Sequence, residues 1–368
     1  MKKVLILGKN GFLGSHLEMY FKFHLKYEVL DFNREDWSNL EYFLNEADLV
    51  IFNSCVIKGD NIFEENKQIV DNFVNVYKNL NKKIDIIVIS SLKRLENSNY
   101  GKSKLYAEEK ITEVSSTKHD NVKIIVAPNI FGPFAKPNYN SAVATFCFNE
   151  INNLQSISNN NVIELVYVND LVKLISDESI FDQNDELIVV SNYVKTYFHT
   201  ANEILTYIKN IKIEFDKQNF NFYISDIYKK LYITYLSYIP PKNFIINHDL
   251  KSDERGWLFE YNNYELQKTD HLFISSTNPL KMRGNHFHFN KFEKFTFLKG
   301  KLKLNFQNIR TKEKFSFLID KTPQTIIIPP LLAHNIESLE ENSESIILFY
   351  SNEKFNPKDP DTYYYEIQ

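Results

Sequence analysis

A glycine-punctuated turn near the start constrains this chain most. Residues 4–7 are an unbroken apolar run, followed by Gly8-Lys9-Asn10-Gly11-Phe12-Leu13-Gly14 and then by an amphipathic helical pattern carrying Phe12, Leu13, Leu17 and Phe21. A run this short, stopped by glycine, predicts a buried strand rather than a secretion signal. Glycines between a strand and a helix let the backbone pass close to a pyrophosphate, which then sits where unpaired N–H groups and the helix dipole favour an anion. Gly8, Asn10, Gly11, Phe12 and Gly14 are therefore candidate cofactor contacts. A tight turn and nothing more is the plain alternative.

The same texture continues. Residues 49–53, 84–90 and 122–127 are further apolar runs separated by helical patterns, which predicts a parallel, doubly wound α/β sheet. From about residue 258 the pattern changes to alternating strands with short polar turns, as in 301–306 and 324–329, which fits an antiparallel barrel or sandwich. At 368 residues the chain exceeds the roughly 250–300 at which single cores stop growing. Two domains are expected, 1–243 and 244–368, dividing near Pro240-Pro241.

Chemistry concentrates at three places. Past the second strand stand Asp31-Phe32-Asn33-Arg34, where such domains read the adenosine ribose. Asp31 suits a free 2′-hydroxyl and Arg34 a 2′-phosphate, with NADPH favoured; a strand-capping Asp31 and a solvated Arg34 are the bland reading. Ser90-Ser91 end the strand at 84–90, and Tyr100-Gly101-Lys102-Ser103-Lys104 follow on a predicted helix, placing phenol and ammonium on one face. A lysine there lowers the tyrosine pKa, so that tyrosine can exchange a proton with a substrate oxygen oriented by Ser90 or Ser91.

The third place is His286-Phe287-His288, with Glu293 and Gly300 following at the spacing HxHxxxxExxxxxxG, and later Pro329-Pro330-Leu331-Leu332-Ala333-His334. Alternation on a strand puts His286 and His288 on one side. With Glu293 and His334 they make a donor set suited to Zn²⁺ or another divalent first-row metal. His286 is also a candidate proton-transfer base, but a metal-bound nitrogen has no lone pair left for a proton, so the two roles compete. A metal that only stabilises the barrel is the remaining reading.

Composition excludes other classes. Net charge is −4 and charged residues make up 24%, so a basic nucleic-acid surface and disorder are not expected. No stretch of about 18 or more apolar residues occurs, so no membrane insertion is expected. Cys55 and Cys147 are too few for a disulfide framework, which suits a cytoplasmic location.

The first two sets of motifs resemble the extended short-chain dehydrogenase/reductase family over roughly residues 1–240. Pro128-Asn129-Ile130-Phe131-Gly132-Pro133 and Tyr167-Val168-Asn169-Asp170-Leu171-Val172 look like its later motifs. Asn53-Ser54-Cys55 departs from the Ala-Gly pair usual there, with Asn53 placed beside the cofactor. The third set resembles the cupins. Asp253-Glu254-Arg255-Gly256 and Arg283-Gly284-Asn285-His286 are similar to elements of those that epimerise or isomerise nucleotide keto-sugars, while Leu331 replaces a usual glycine.

The whole chain resembles a family of bifunctional capsular-polysaccharide enzymes that join a reductase to a cupin. That likeness is carried by 136–141, 144–147, Thr234-Tyr235-Leu236-Ser237-Tyr238, Arg283-Gly284-Asn285-His286 and Pro360-Asp361-Thr362-Tyr363. It implies a homodimer acting on UDP-2-acetamido-2,6-dideoxy-β-L-arabino-hexos-4-ulose. The cupin would invert C3, and the reductase would then use NADPH to give UDP-2-acetamido-2,6-dideoxy-L-talose, on the route to UDP-N-acetyl-L-fucosamine. Action on another nucleotide-linked 4-keto-6-deoxy sugar, or a non-catalytic cofactor-binding scaffold, are the alternatives.

Overall fold

The computed structural model describes residues 1–217, 225–248, 251–254, 256–258 and 270–367, with backbone alone at 251–253 and 256–258. The elements β1 (Lys3–Leu7), α1 (Phe12–Phe23), β2 (Glu28–Val29), α2 (Leu40–Glu46), β3 (Leu49–Phe52), α3 (Ile62–Tyr77), β4 (Asp85–Ser91), α4 (Asn99–Lys118) and β5 (Val122–Ala127) alternate as the sequence predicts. Then come β6 (Asn129–Phe131), α5 (Ala142–Ile151), β7 (Val162–Tyr167), α6 (Val168–Ser176), β8 (Leu187–Val189), β9 (Thr196–Thr200), α7 (Ala201–Asp216) and α8 (Asp226–Leu236). A six-stranded parallel sheet runs in the order β2-β1-β3-β4-β5-β8, and β6, β7 and β9 form a smaller one.

Two compact units are present: Met1–Thr145 with Ile157–Leu205, and Phe146–Ser156 with Thr206–Gln368. In the first, Val4, Leu5, Ile6 and Leu7 are all fully buried, as a parallel strand covered on both faces must be. Leu5, Val50, Phe52, Ile86 and Val88 pack with Leu44, Phe73, Tyr77 and Ile111 in one core. Each such side chain contributes about 1.5–3 kcal/mol on burial. The sheet rather than the turns therefore holds the unit together, and it fixes the ends of β1 and β4, where the polar residues stand. Helix α4 starts at a serine cap: Ser98 Oγ accepts from Gly101 N at 3.0 Å, which sets the first turn holding Tyr100.

The second unit turns from helix to strand at a short 3₁₀ turn, Pro241–Asn243. Its strands are β10 (Ile245–Asn247), β11 (Lys251–Asp253), β12 (Gly256–Leu258), β13 (His271–Thr277), β14 (Met282–Phe287), β15 (Glu293–Lys299), β16 (Leu302–Asn308), β17 (Lys314–Ile319), β18 (Gln324–Ile328), β19 (Leu332–Ser338), β20 (Ser345–Ser351) and β21 (Tyr363–Tyr364). Two five-stranded antiparallel sheets, β10-β18-β15-β20-β13 and β17-β16-β19-β14-β21, give the double-sheet build of a cupin. Leu302, Leu304 and Phe306 alternate with more exposed residues along β16, so one face is buried. Strands β11 and β12 pair with each other. Arg255, singled out in the sequence, lies outside the described residues.

The turn into β19 explains the missing glycine. Leu331 adopts φ 61°, the left-handed conformation that a glycine takes without cost, yet its side chain is fully buried. The conformation costs roughly 1–2 kcal/mol, whereas emptying a buried leucine site costs about 2–5 kcal/mol, so burial wins. Leu331→Gly is therefore expected to lower stability by about 1–3 kcal/mol, read as a reduced urea midpoint at unchanged m-value; a gain in stability would refute this balance.

Candidate active site and metal centre

At the end of β1 the chain makes the glycine turn expected from the sequence. Gly8 has φ 88°, and a Cβ there would lie 2.9 Å from the Asn53 carbonyl oxygen, so only glycine lets β1 and the β3 exit come this close. A Cβ on Gly14 would lie 2.2 Å from Gly8 O, which is where α1 presses on the turn. Asn53 N donates to Leu7 O at 3.0 Å, while Asn10 and Gly11 are exposed on the turn. Phe12 packs close by: a Cβ on Gly132 would meet Val168 at 2.4 Å and the Phe12 ring at 3.6 Å. The two later motifs and the glycine turn are thus drawn to one place.

Lys9, unremarked in the sequence reading, is buried and pairs with the exposed carboxylate of Asp31. The Lys9 ammonium beside Asp31 holds its carboxyl below the usual carboxylate range. Arg34 is exposed at the start of the next turn, and Asn10 Nδ2 lies 3.4 Å from Asn33 Oδ1. A lysine inside a phosphate-type turn opposite an aspartate at a strand end was the available signal.

Strand β4 and helix α4 assemble the second cluster. Alternation sends the two serines to opposite sides. Ser90 Oγ donates to the buried Glu108, which also receives Arg94 Nε at 2.6 and 2.8 Å, so Ser90 belongs to a closed polar group. Ser91 stands beside the Tyr100 phenol, and its Oγ accepts from Lys93 N at 3.2 Å. Lys104 lies one turn past Tyr100, donates Nζ to Ile89 O at 2.9 Å and sits 5.7 Å from the Tyr100 ring centroid.

Burial pushes the Tyr100 phenol up, and Lys104 and Ser91 pull it partway back. The net direction is upward, contrary to the lysine-dominated expectation, because desolvation of the phenolate is the larger effect. Burial works to lower the Lys104 ammonium, but Cys55, Tyr100 and Glu108 beside it outweigh that and hold it charged. Glu108, on the Lys104 face of α4 at i+4, and Cys55 are the neighbours that sequence motifs alone did not supply.

In the cupin sheets, His286 on β14 is the register partner of His334 on β19, with ring centroids 4.6 Å apart. A bulge between Gly284 and His286, with Asn285 at φ 61°, aims that side chain. His288 follows β14, and Glu293 opens β15 in the facing sheet. One donor atom from each of the four lies within 4.8 Å of the others; three are buried and His286 is half-buried.

The hydrogen-bond roles decide what this cluster can hold. His288 Nδ1 faces the Asp361 carbonyl and His334 Nδ1 faces the Leu332 carbonyl at 3.1 Å. A carbonyl only accepts, so both Nδ1 atoms carry the hydrogen and both Nε2 atoms present lone pairs. Those lone pairs point at Glu293 Oε2, 3.1 Å from His288 and 3.2 Å from His334. Among the described residues the buried His334 Nε2 finds no hydrogen-bond donor, only the Glu293 carboxylate. Three acceptors converging on one point require a cation, and the two-nitrogen, one-carboxylate set fits zinc or a similar ion.

Burial works against the charged form of His288, but Glu293 outweighs it and raises that imidazole. Burial likewise favours protonated Glu293, yet His288 and His334 hold it far below the carboxylate range. Burial and the two neighbouring imidazoles push His286 down to about 3, leaving it neutral. Zinc at about 100 times its Kd is expected to add ~2.7 kcal/mol to wild-type stability. Glu293→Gln should abolish that rise while leaving the metal-free Tm within about 3 °C, since one amide can donate to both imidazoles. A zinc-dependent rise that survives in the variant would show that Glu293 holds no metal.

Comparison with known proteins agrees with this architecture. The family model for the polysaccharide biosynthesis C-terminal domain matches residues 251–363. A Pseudomonas aeruginosa protein named UDP-2-acetamido-2,6-beta-L-arabino-hexul-4-ose reductase is 27% identical over 368 residues, covering 98% of each chain. The crystal structure of the capsular polysaccharide assembling protein CapF from Staphylococcus aureus is 27% identical, covers 99% of both chains and superposes with a TM-score of 0.60. The UDP-glucose 4-epimerase of Thermus thermophilus, solved with NAD, shares the fold over 64% of this chain and 98% of its own at 16% identity and TM-score 0.51. Along its whole length, then, the chain is similar to the CapF-type capsular-polysaccharide proteins, with a parallel Rossmann-like sheet followed by a cupin-like β unit.

Proposed function

We propose that this chain is a two-step nucleotide-sugar enzyme: its cupin domain, 244–368, epimerises C3 of UDP-2-acetamido-2,6-dideoxy-β-L-arabino-hexos-4-ulose, and its reductase domain, 1–243, reduces C4 with NADPH. The observation that carries the reading is the Ser91–Tyr100–Lys104 arrangement at the end of β4, together with a glycine turn at the end of β1. The full-length likeness to a reductase named for that keto-sugar supports the substrate class.

For the reduction, NADPH supplies the hydride. Tyr100 is the proton donor to the C4 oxygen: burial keeps its phenol protonated, and the adjacent Lys104 ammonium stabilises the phenolate left behind. Ser91 holds the phenol and shares the substrate oxygen, while Ser90, tied to Glu108, anchors the strand end. Asp31 is neutralised by Lys9, so the exposed Arg34 is the cation presented to a 2′-phosphate, which favours NADPH over NADH.

For the epimerisation, a divalent metal would supply Lewis acidity to polarise the ketone. His288, Glu293 and His334, the three buried donors, would hold it. His286, the least enclosed of the four and neutral, is the imidazole with a lone pair available to take the C3 proton, and a solvent-derived proton returns to the opposite face of the enolate.

Proton NMR of the protein in D₂O with the keto-sugar tests the division of labour. Deuterium is expected at C3 without cofactor, followed by the talose product when NADPH is added. Tyr100→Phe should abolish NADPH oxidation and leave exchange intact; loss of both in a folded variant would refute two separate sites. Inertness of the wild type toward this sugar, with turnover of another 4-keto-6-deoxy sugar nucleotide, would refute the assigned substrate. Arg34→Ala should raise KM for NADPH about 10- to 100-fold and leave that for NADH unchanged, at about 1.5–3 kcal/mol for a charged hydrogen bond; equal effects on both would remove Arg34 from 2′-phosphate recognition.

A further inference from the structure

We propose that Asp361 is the positioning residue of the metal centre, holding His288 in the tautomer that turns its Nε2 toward the metal. The inference rests on the metal reading given above. The two ligands His288 and Glu293 are joined by a tight link, residues 289–292, whose backbone must be held if both are to aim at one point.

Asp361 holds it. The carboxylate is buried, with Oδ1 accepting from Phe289 N at 2.8 Å and Oδ2 from Asn290 N and Lys291 N, each at 2.9 Å. The same residue offers its backbone carbonyl to His288 Nδ1. One residue thus grips the link through its side chain and fixes the ring through its main chain.

Its neighbours reinforce the grip. Pro360 O accepts from Lys291 Nζ. Thr362 Oγ1 donates to Pro360 O at 3.0 Å and lies 3.4 Å from His288 Nδ1. Tyr363 and Tyr364 pair with Phe287 and His286 in register, and Tyr365 N donates to Asn285 O at 2.8 Å. Asp361 itself sits at φ 41°, a left-handed conformation that aspartate and asparagine tolerate better than most residues.

A partner that fixes the far nitrogen of a metal-ligating histidine sets its tautomer and orientation, and losing it typically costs about 10- to 100-fold in metal affinity. Asp361→Asn keeps the shape and the tolerance for positive φ, but its single oxygen cannot accept all three N–H groups. The experiment is a zinc titration of the full-length chain against a competing chelator, for wild type and Asp361→Asn. It is paired with ¹⁵N NMR of the histidine rings in the metal-free wild type at a pH where His288 is neutral.

Affinity is expected to fall about 10- to 100-fold, with His288 protonated at Nδ1 in the wild type. A folded variant with unchanged zinc affinity but lowered Tm would reduce Asp361 to a structural role and overturn the proposal. Should the variant not fold, the wild-type spectrum decides: His288 protonated at Nε2 would overturn it. A wild type that takes up no zinc would sink the metal reading instead, and the ring tautomer would still report on Asp361.

Discussion

The cupin unit is organised around a carboxylate that two imidazoles approach with lone pairs rather than hydrogens. Glu293 is buried beside His288 and His334, and each ring is turned by a backbone carbonyl so that its accepting nitrogen faces the same oxygen. Such a point is unfavourable without positive charge, because buried acceptors left facing one another forfeit the water that they had in the unfolded chain. The bulge before His286, the tight link between the ligands and the left-handed Leu331 all serve to bring strands from both sheets to it. Packing elsewhere in the sheets mixes aliphatic and aromatic burial with buried polar pairs such as Thr296 with Thr325 and Ser338 with Ser345. This cluster is specific.

The first unit shows a different balance. Its sheet is largely apolar, with Lys123 on β5 buried and donating to Gln183 O and Asp185 O, and the candidate site residues stand at strand ends, where the backbone leaves the core. At the end of β4 the enclosure that orders Tyr100 also raises its pKa, so Lys104 works against desolvation and does not act in water-like surroundings. Lys104 can remain charged there only because anionic or polarisable neighbours surround it. The Ser90–Glu108–Arg94 group is the scaffold behind this, a fully satisfied polar network that lets a charged carboxylate sit inside the unit.

What the sequence disclosed was what proximity along the chain encodes. The glycine turn, the Tyr100–Lys104 pair and the His286–His288–Glu293 set each lie within about one or two elements, so strand and helix periodicity suffices to place them on common faces. His334 came from a second motif and needed only sheet pairing to join them. Ser90 and Ser91 were indistinguishable, because which serine faces Tyr100 depends on the pleat of β4 and not on residue type. The hydrogen bond from His288 to Asp361 spans 73 positions, and it is made by a backbone carbonyl that no side-chain motif can signal. Lys9 escaped notice for a related reason: its partner Asp31 is 22 positions away, and the pairing appears only once β2 lies beside β1.

The short strand β21 has a further effect on the molecule. Among the described residues it occupies the flank of β14 at His286 and Phe287, which without it would be an open sheet edge. Exposed edges of that kind recruit strands from other chains. Two residues, Tyr363 and Tyr364, blunt it, and a strand so short has little length on which an incoming peptide could align. Detachment of this segment would therefore bare the backbone of His286 and Phe287 beside the histidine cluster, so the same few residues that shape the site also close that stretch of the sheet edge.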